Sequence, residues 1–425
     1  MFKALGTPNS ISLEAIQLTK LKNLVNLAYT NSSFYRDLYD KSGFNPSQIV
    51  NLEDVEKIPI IERTDLRKII EKNPEALYTR KISQTQWAQT TSGSSGIPIT
   101  IRATQLERRM ILGNILRSYR LNGLKIRDVS VTLKDPIDIR RPNLIQRAGV
   151  YRHNYFNIYE PIESILRDIQ KQYSTIDVLK GMPSDLASLA MIVKEGQLQF
   201  PKVGKLFVDS ETLDSQTRKL IEEVFKAKAI DFYATTEVGV AAFQTGDSNG
   251  LYCVPDDNVI FETKYNSKLQ EGDEDIVLTG LINMTTPIIR YKIGDVCEPG
   301  SRAPIAGTSF STVKSIHGKY LDFLVKPDGT VLSSHAAKQN LTHLSGIRRF
   351  RVIQESLTQL NIEIEPDVDW SNEIEAQIRD LFRRDIGPDV AINILMVSGL
   401  ARKQENYKKF KVVESKLAQE FLSRG

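Results

Sequence analysis

The sequence contains few of the residues that build disulfide frameworks and metal clusters. Its 425 residues include two cysteines, Cys253 and Cys297, and four histidines. Two cysteines so far apart exclude a disulfide framework and a cysteine-based zinc cluster. The histidines are not spaced for a metal triad, and a lone histidine is more often structural than a ligand.

Long apolar runs and a strong net charge are also missing. No stretch reaches the roughly 18 apolar residues expected of a membrane span, and residues 1–10 contain no apolar core of signal-peptide length. The net charge of +4 is small for this length, and no basic run is interleaved with aromatic residues as in a nucleic-acid groove. These absences argue against membrane and nucleic-acid partners, and we expect a cytoplasmic protein.

Segments typical of strands and helices alternate in the middle of the chain. Four segments are expected to be strands: 129–133, 175–179, 205–209 and 229–233. Three segments between them are expected to be helices: 160–173, 183–195 and 214–227. Such alternation is typical of an α/β sheet with crossover connections.

The pattern changes in the last third of the chain. The sequence becomes β-rich beyond residue 250, and from about residue 320 strands and helices alternate within roughly 100 residues, a usual domain size. We therefore predict a large α/β domain over 1–318, with mixed and parallel sheets, and a small α+β domain over 319–425. The boundary is placed near 318–322.

The segment 90–96 reads T-T-S-G-S-S-G and concentrates hydroxyl groups beside glycines. Glycines allow close approach of the backbone and hydroxyls add donors, a combination that suits phosphate oxygens. A Walker loop is excluded because Gly93 and Gly96 are too close and no lysine follows, and the G-x-G-x-x-G dinucleotide loop is also absent. Taken alone, the segment is better explained as a flexible surface loop.

Four further motifs follow this loop along the chain: F-Y-A-T-T-E-V-G at 232–239, P-I-I-R-Y-K-I-G-D at 287–295, I-H-G-K-Y-L-D at 316–322 and N-Y-K-K-F-K-V-V-E-S-K at 406–416. In this order they resemble the motifs of the adenylate-forming superfamily. N-S-S-F-Y-R-D-L-Y at 31–39 and S-E-T-L at 210–213 resemble phenylacetate–coenzyme A ligase and its CapK-like relatives in capsular polysaccharide biosynthesis. The resemblance covers nearly the whole chain.

The resemblance implies a reaction of two steps. A carboxylate, from an aryl or other small organic acid, would attack the α-phosphate of ATP and release pyrophosphate. The acyl-adenylate would then pass its acyl group to a thiol or amine acceptor, with ATP, Mg²⁺ and coenzyme A as the implied cofactors. Two alternatives stay open: an amine or hydroxyl acceptor in polysaccharide or secondary-metabolite biosynthesis, and a nucleotide-binding regulator without the chemistry. A homodimer is also left open.

The resemblance assigns the loop and the Y-A-T-T-E motif to the nucleotide. The β- and γ-phosphates would be held by six loop residues: Thr91, Ser92, Gly93, Ser94, Ser95 and Gly96. Tyr233 is assigned to the adenine, Thr236 to the α-phosphate and Glu237 to magnesium. Ala234 and Thr235 belong to the same nucleotide-binding segment. One carboxylate with phosphate oxygens is a usual magnesium arrangement, and the alternative for Glu237 is a helix cap or a solvated side chain.

Further residues are assigned to the adenine and the ribose. Asp209, Ser210 and Glu211 end a predicted strand and would form part of the adenine pocket, with a helix cap as the structural alternative for Ser210. Asp295 would accept hydrogen bonds from both ribose hydroxyls. Arg290 precedes it and is assigned either to the cofactor or to a structural pair within the subdomain.

Two motifs depart from the pattern of the superfamily. Lys319 stands where the G-R-x-x-D motif has arginine; it keeps the charge but loses the planar fork, and we retain it as a cofactor-binding residue. Asp322 is expected to be the hinge, because the small domain of this superfamily is mobile and turns between the two steps. In the tail, Lys409 is the expected catalytic lysine, stabilising charge between carboxylate and phosphate, and Lys408 is its rival.

The acyl pocket is expected between residues 150 and 240. Tyr155, Phe156 and Met182 suit an aryl or alkyl acid, although they are equally ordinary core residues.

Some relatives carry a Cys/His zinc site after the Y-x-x-T-E motif. This chain has Tyr252 where they have histidine, together with one nearby cysteine. We therefore predict no structural zinc. Three acidic residues of this region are expected to be solvated: Asp256, Asp257 and Glu262.

Overall fold

The computed structural model describes most of the chain. The described residues are 12–83, 86–90, 99–134, 144–157, 160–246, 248–269, 271–301, 309–319, 324–332, 337, 341, 344–397, 400 and 412–417. Thr91–Gly96 of the hydroxyl-rich loop lie outside them, as do Asp322, Lys408 and Lys409. No helix in these ranges combines the length and the apolar character that a bilayer crossing requires.

Helices and short 3₁₀ turns dominate the beginning of the chain. The helices in the described ranges are α1 Leu13–Asn31, α2 Ser33–Ser42, α3 Arg63–Lys72, α4 Gln105–Leu121, α5 Leu144–Arg147, α6 Ile162–Gln172, α7 Pro183–Glu195, α8 Ser215–Phe225 and α9 Asn372–Ile386. The break between α1 and α2 is at Ser32, whose side chain accepts a hydrogen bond from the backbone N–H of Tyr35. The hydroxyl of Tyr35 donates to the carbonyl of Pro287 at 2.8 Å, so the N-terminal helices are fixed to the R-Y-K-I-G-D segment.

A large mixed sheet forms the centre of the protein. The strands of the described chain are β1 Trp87–Thr90, β2 Thr100–Ala103, β3 Val129–Lys134, β4 Arg152–Asn157, β5 Thr175–Gly181, β6 Lys202–Asp209, β7 Ala229–Thr235, β8 Gly239–Gln244, β9 Tyr252–Cys253, β10 Val259–Tyr265, β11 Glu274–Gly280, β12 Tyr291–Pro299, β13 Thr312–Lys319, β14 Leu324–Val325, β15 Val331–Leu332, β16 Ile347–Ser356, β17 Gln359–Pro366, β18 Ala391–Met396 and β19 Val413–Ser415. The sheet has 11 strands in the order β10-β11-β12-β13-β9-β8-β7-β6-β5-β3-β4.

The parallel part of this sheet confirms the predicted α/β class. Strands β3 to β7 pair in parallel, and α6, α7 and α8 connect β4, β5, β6 and β7 in turn. One face packs these helices through a core that includes Val131, Leu179 and Leu206. The other face packs α4, where the Tyr119 ring lies between Phe207 and Phe232 at centroid distances of 5.2 and 4.8 Å.

The C-terminal part forms a separate sheet in the order β18-β17-β16-β19. Its core includes Val352, Ile362 and Phe382 of α9, in agreement with the predicted α+β pattern. β13 ends at Lys319, where the sequence analysis places the domain boundary. The boundary and the hinge at Asp322 remain predictions.

The prediction that the acidic residues on or near β10 are solvated is wrong. Asp256 accepts hydrogen bonds from the backbone N–H and the hydroxyl of Ser311, at 2.6 and 2.7 Å. Asp257 accepts two from the guanidinium of Arg117, at 2.5 and 2.8 Å, and Glu262 is paired as described below. The prediction failed because these partners are 55 and 140 residues away in the sequence.

A buried carboxyl on β7 makes stability depend on pH. Asp231 is buried and accepts a hydrogen bond from the Tyr252 hydroxyl at 2.5 Å, and burial raises its pKa to about 6. The folded chain therefore holds this proton more tightly than the unfolded chain, so stability falls as the pH rises between about 4 and 6. We expect Asp231→Asn, which keeps an acceptor for Tyr252, to remove this slope and to raise the free energy of unfolding above pH 6. Denaturant unfolding from pH 4 to 8 measures both; equal slopes in the two proteins would contradict the assignment.

Candidate active site

The Y-A-T-T-E motif lies where the parallel part of the sheet ends. Strands β5, β6 and β7 are adjacent, and ligands of open α/β sheets bind outside the carboxyl ends of such strands. Ala234 is exposed at the end of β7, and the hydroxyl of Thr235 accepts a hydrogen bond from the backbone N–H of Val238. Thr236 and Glu237 are half-buried in the turn that leads into antiparallel β8. The motif is thus presented at an edge suited to a ligand.

A short hydrogen bond joins the adenine-assigned and ribose-assigned residues. The hydroxyl of Tyr233 donates to Oδ2 of Asp295 at 2.5 Å, although the two are 62 residues apart. Asp295 is 5 % exposed. Burial and then the negative charge of Asp295 raise the pKa of Tyr233, so the phenol keeps its proton and acts as the donor. The structure therefore brings these two predicted site residues together.

The end of β13 lies beside the same two residues. In the antiparallel pairing of β12 with β13, Lys319 is the Cα partner of Asp295. Gly318 has a φ of +88°, and a Cβ at this position would come within 2.8 Å of the Thr212 hydroxyl, so this glycine permits close approach to the 210–213 segment. The backbone therefore places Lys319 next to the ribose-assigned carboxylate.

Glu237 lines a narrow cleft that adjoins the base of the hydroxyl-rich loop. The cleft is lined by Ile111, Glu237, Val238, Gly280, Ile282, Asn283, Thr286 and Ile288. The Thr286 hydroxyl donates to the carbonyl of Arg102 and accepts from its backbone N–H, both at 2.9 Å. Arg102 lies on β2, which pairs with β1 in the hairpin that carries residues 91–99. The wall of the Glu237 cleft and the base of the loop are therefore hydrogen-bonded to each other.

A buried carboxylate on α4 holds the turn that forms this wall. Glu107 accepts hydrogen bonds from the backbone N–H groups of Met284 and Thr285 at 3.0 and 3.1 Å, and from the Thr285 hydroxyl at 2.7 Å. The N-M-T-T turn at 283–286 was not predicted from the sequence. Its signal was a pair of threonines immediately before the P-I-I-R-Y-K-I-G-D motif.

The adenine-assigned segment after β6 is held in place by its own side chains. Ser210 has a left-handed φ of +74°, and its hydroxyl donates to Oδ1 of Asp209 at 2.9 Å. The cap alternative for Ser210 is wrong, because Asp214 caps the following helix. Instead, Oε2 of Glu211 accepts a hydrogen bond from the backbone N–H of Ser184 in the first turn of α7, at 3.1 Å.

The guanidinium of Arg290 is engaged within the fold. It pairs with Glu262 through Nε and Nη2, at 3.0 and 2.8 Å. Its Nη1 donates to the carbonyls of Glu56 and Ile58, at 2.8 and 2.5 Å. Because all three nitrogens have partners and Arg290 is buried, these contacts support the structural alternative over the cofactor-binding one.

Replacing Arg290 should therefore change stability rather than nucleotide affinity. We expect Arg290→Met to lower the free energy of unfolding by about 3–5 kcal/mol, because the carboxylate of Glu262 would lose the buried partner to which it is hydrogen-bonded. Lys264→Met is a matched control, since Lys264 lies 3.7 Å from the same carboxylate but is more exposed, and it should cost less than about 1 kcal/mol. A raised KM for ATP at unchanged stability would restore the cofactor-binding role.

The predicted acyl-pocket residues point to different sides of the sheet. Phe156 is buried in the core formed with α6 and α7, which supports its ordinary core interpretation. Tyr155 is half-buried and is the Cα partner of Thr132, and alternation along the strand places it on the face that α4 covers. Met182 is the residue that precedes α7.

Curated proteins of two kinds are similar to the chain, whereas no family model matches it. Protein CapK of Staphylococcus aureus is 23% identical over 325 residues, which cover 73% of this chain and 68% of CapK. Phenylacetate-coenzyme A ligase of Thermus thermophilus is 21% identical over 408 residues, which cover 89% of this chain and 84% of the ligase.

Among solved structures, the chain is similar to 2-hydroxyisobutyryl-CoA ligase. The postadenylation state of that enzyme, in complex with R3-HIB-AMP, matches with a TM-score of 0.77 and 19% identity, covering 99% of this chain and 93% of the other. Its thioesterification state, with 2-HIB-AMP and CoA, matches with a TM-score of 0.63 and covers 97% and 91%. The chain is therefore similar in sequence to CapK and to phenylacetate–coenzyme A ligases, and it shares the fold of an adenylate-forming CoA ligase.

Proposed function

We propose that the protein is an AMP-forming acid ligase. It would activate a small organic acid with ATP, release pyrophosphate and transfer the acyl group from the acyl-adenylate to coenzyme A. The observation that carries this proposal is the hydrogen bond between Tyr233 and Asp295, which joins the end of β7 to the R-Y-K-I-G-D segment at one site. The phenylacetate–coenzyme A ligases among its relatives support the same reaction class.

The chain's own residues would bind and orient the nucleotide. Asp295 would accept hydrogen bonds from the ribose hydroxyls, with Lys319 beside it, and Tyr233 would pack at the adenine next to Ser210 and Glu211. The loop residues Thr91–Gly96 would donate to the β- and γ-phosphates, and Thr236 to the α-phosphate. Most of the rate enhancement would come from such positioning and from charge stabilisation.

The residues around Glu237 fit a magnesium ion. Among the described residues, no group of three or more histidine, cysteine, aspartate or glutamate side chains could hold a metal, so the protein would supply few ligands and the phosphates the rest, as is usual for Mg²⁺. Glu237 would be the carboxylate ligand, because the side-chain oxygens of Asn283 and Thr286 in the same cleft are engaged with the backbone. When bound, Mg²⁺ would neutralise charge on the triphosphate.

The acceptor is decided by experiment. Pyrophosphate release from ATP is measured with a panel of carboxylic acids, with and without coenzyme A. Acid-dependent release followed by thioester formation supports the ligase with coenzyme A, whereas acid-dependent release without a thioester favours an amine or hydroxyl acceptor. Tight ATP binding without release for any acid would favour the nucleotide-binding regulator. The homodimer and the cytoplasmic location remain predictions.

A further inference from the structure

Three polar residues lie side by side on the sheet face that α4 covers. Thr132 on β3 is the Cα partner of Tyr155 on β4 and of Lys180 on β5. Cα partners on adjacent strands project from the same face. We call Tyr155, Thr132 and Lys180 the polar strip. It lies in the carboxyl half of these parallel strands, towards the edge of the sheet at which ligands bind.

Lys180 is held as an ammonium ion within this strip. Its Nζ lies 2.8 Å from Oδ2 of Asp209, donates to the Tyr119 hydroxyl and is 4.7 Å from the centroid of the Tyr119 ring. Burial alone would lower the pKa of Lys180, but Asp209 and Tyr119 outweigh it and raise the pKa. An ammonium group has three N–H donors, and the hydrogen-bond partners of Lys180 within the described ranges are these two.

Thr132 adds a buried hydroxyl beside this ammonium. It is 4 % exposed, and its Oγ1 makes no hydrogen bond to any residue that the structure describes. A buried polar group without a partner is costly and calls for an explanation. Nearby, the His153 ring stacks on Tyr155, and burial, then the charges of Lys180 and Lys134, lower the pKa of His153. Lys180 and Lys134 therefore place positive charge near His153, and Asp209 balances part of it.

The polar strip is connected to the nucleotide site. The same Asp209 that pairs with Lys180 accepts a hydrogen bond from Ser210 at 2.9 Å, and it is the Cα partner of Phe232, which precedes Tyr233. β5 and β7 are two strands apart, about 10 Å. Because the ammonium of Lys180 lies beside Asp209 on the intervening strand β6, a small organic acid whose carboxylate lies near the end of β7 would come within its reach.

We propose that the polar strip recognises an oxygen atom on the acyl chain of the substrate. This inference rests on the proposed ligase function and refines its substrate class: a hydroxy acid or a dicarboxylic acid, rather than a purely apolar aryl or alkyl acid. The oxygen would accept a hydrogen bond from Lys180 and engage the hydroxyl of Thr132. An apolar acid would leave the third N–H of Lys180 and the hydroxyl of Thr132 without a hydrogen-bond partner, which is a basis for discrimination.

Two matched pairs of acids test the proposal. 4-Hydroxyphenylacetate is compared with phenylacetate, and glutarate with pentanoate, by kcat/KM for pyrophosphate release. We expect a preference of at least about 10-fold for the oxygen-bearing acid in one pair. The pair that shows it identifies whether the polar strip recognises a hydroxyl group or a second carboxylate. Release without preference in either pair would overturn this inference and leave the ligase standing. No release with any acid would overturn the ligase function, and this inference with it.

Variants show whether the strip causes the preference. Lys180→Met should lower the preference for the oxygen-bearing acid about 10-fold, because the KM for that acid should rise. Lys205→Met is the matched control. Lys205 forms a similar ion pair, with Asp128 at 3.1 Å, but it lies nearer the amino end of β6. The Lys205→Met protein should therefore keep the preference of the unmodified protein. Thr132→Val removes a hydroxyl without removing charge, so it decides the question if Lys180→Met does not fold. An unchanged preference in Thr132→Val and in any folded Lys180→Met protein would overturn the proposal.

Discussion

Glu237→Gln should lower kcat for pyrophosphate release about 10²–10³-fold, the usual cost of losing one group that stabilises transition-state charge. Glu237 is half-buried in the turn after β7 and lines the cleft whose wall is hydrogen-bonded to β2, the strand that pairs with β1. Glutamine keeps the size of the side chain but removes the charge that a divalent cation requires. Initial rates at saturating ATP and acid, over a range of Mg²⁺ concentrations, measure the effect.

Two further results belong to this experiment. The Mg²⁺ concentration for half-maximal rate should rise in Glu237→Gln, whereas Asp295→Asn should mainly raise the KM for ATP, because Asp295 is assigned to the ribose. The two variants thus separate a metal role from a sugar role within one site. A Glu237→Gln protein that keeps its rate and its Mg²⁺ dependence would remove Glu237 from the catalytic machinery and favour the solvated alternative.

The fold could be predicted from the sequence where local pattern determines it. The helix over 183–195 was predicted to the residue, since Pro183 is favourable at a helix start and Gly196 follows its end. The strand predicted to begin at residue 205 begins at Lys202. The prediction started too late because the first residues of this strand do not form an apolar run. The pairing of β9 with β13 could not be predicted, since it joins segments about 60 residues apart with no local signal.

The site was predictable in its motifs and not in its contacts. The resemblance selected Tyr233 and Asp295, but their hydrogen bond joins β7 and β12, which are not neighbours in the sheet. It also selected Arg290, whose four hydrogen bonds to Glu262, Glu56 and Ile58 are decided by the tertiary structure. A charged residue within a motif is therefore weak evidence for ligand contact until its partners are known.

The polar strip likewise could not be predicted from the sequence alone. Alternation along β4 predicts that Tyr155 and Phe156 face opposite sides, but the sequence does not say which side is the ligand's. The Lys180 pair with Asp209 needed the order of β5 and β6 in the sheet. Residue type alone suggested an apolar pocket, whereas the register places an ammonium and a hydroxyl next to each other.

Lys409→Ala should abolish most acyl-adenylate formation, with a loss of about 10²–10³-fold in pyrophosphate release. Lys409 itself lies outside the described residues, but the end of its motif is fixed: β19, Val413–Ser415, pairs in parallel with β16, and Val413 is buried in the core of the small sheet. Because the strand that follows it is anchored, the range of positions open to Lys409 is limited. Lys408→Ala removes the same charge one position earlier, so it is the matched control and should keep most of the activity.

The two half-reactions separate this role from a general loss of charge. Because Lys409 is assigned to charge that develops between carboxylate and α-phosphate, its loss should spare the step that follows. Thioester formation from a chemically prepared acyl-adenylate and coenzyme A should therefore proceed in Lys409→Ala at a rate close to that of the unmodified protein. The reverse pattern, with adenylation intact in Lys409→Ala and lost in Lys408→Ala, would transfer the catalytic role to Lys408. Equal losses in both variants and in both steps would instead indicate that the tail is needed for folding or docking of the small domain.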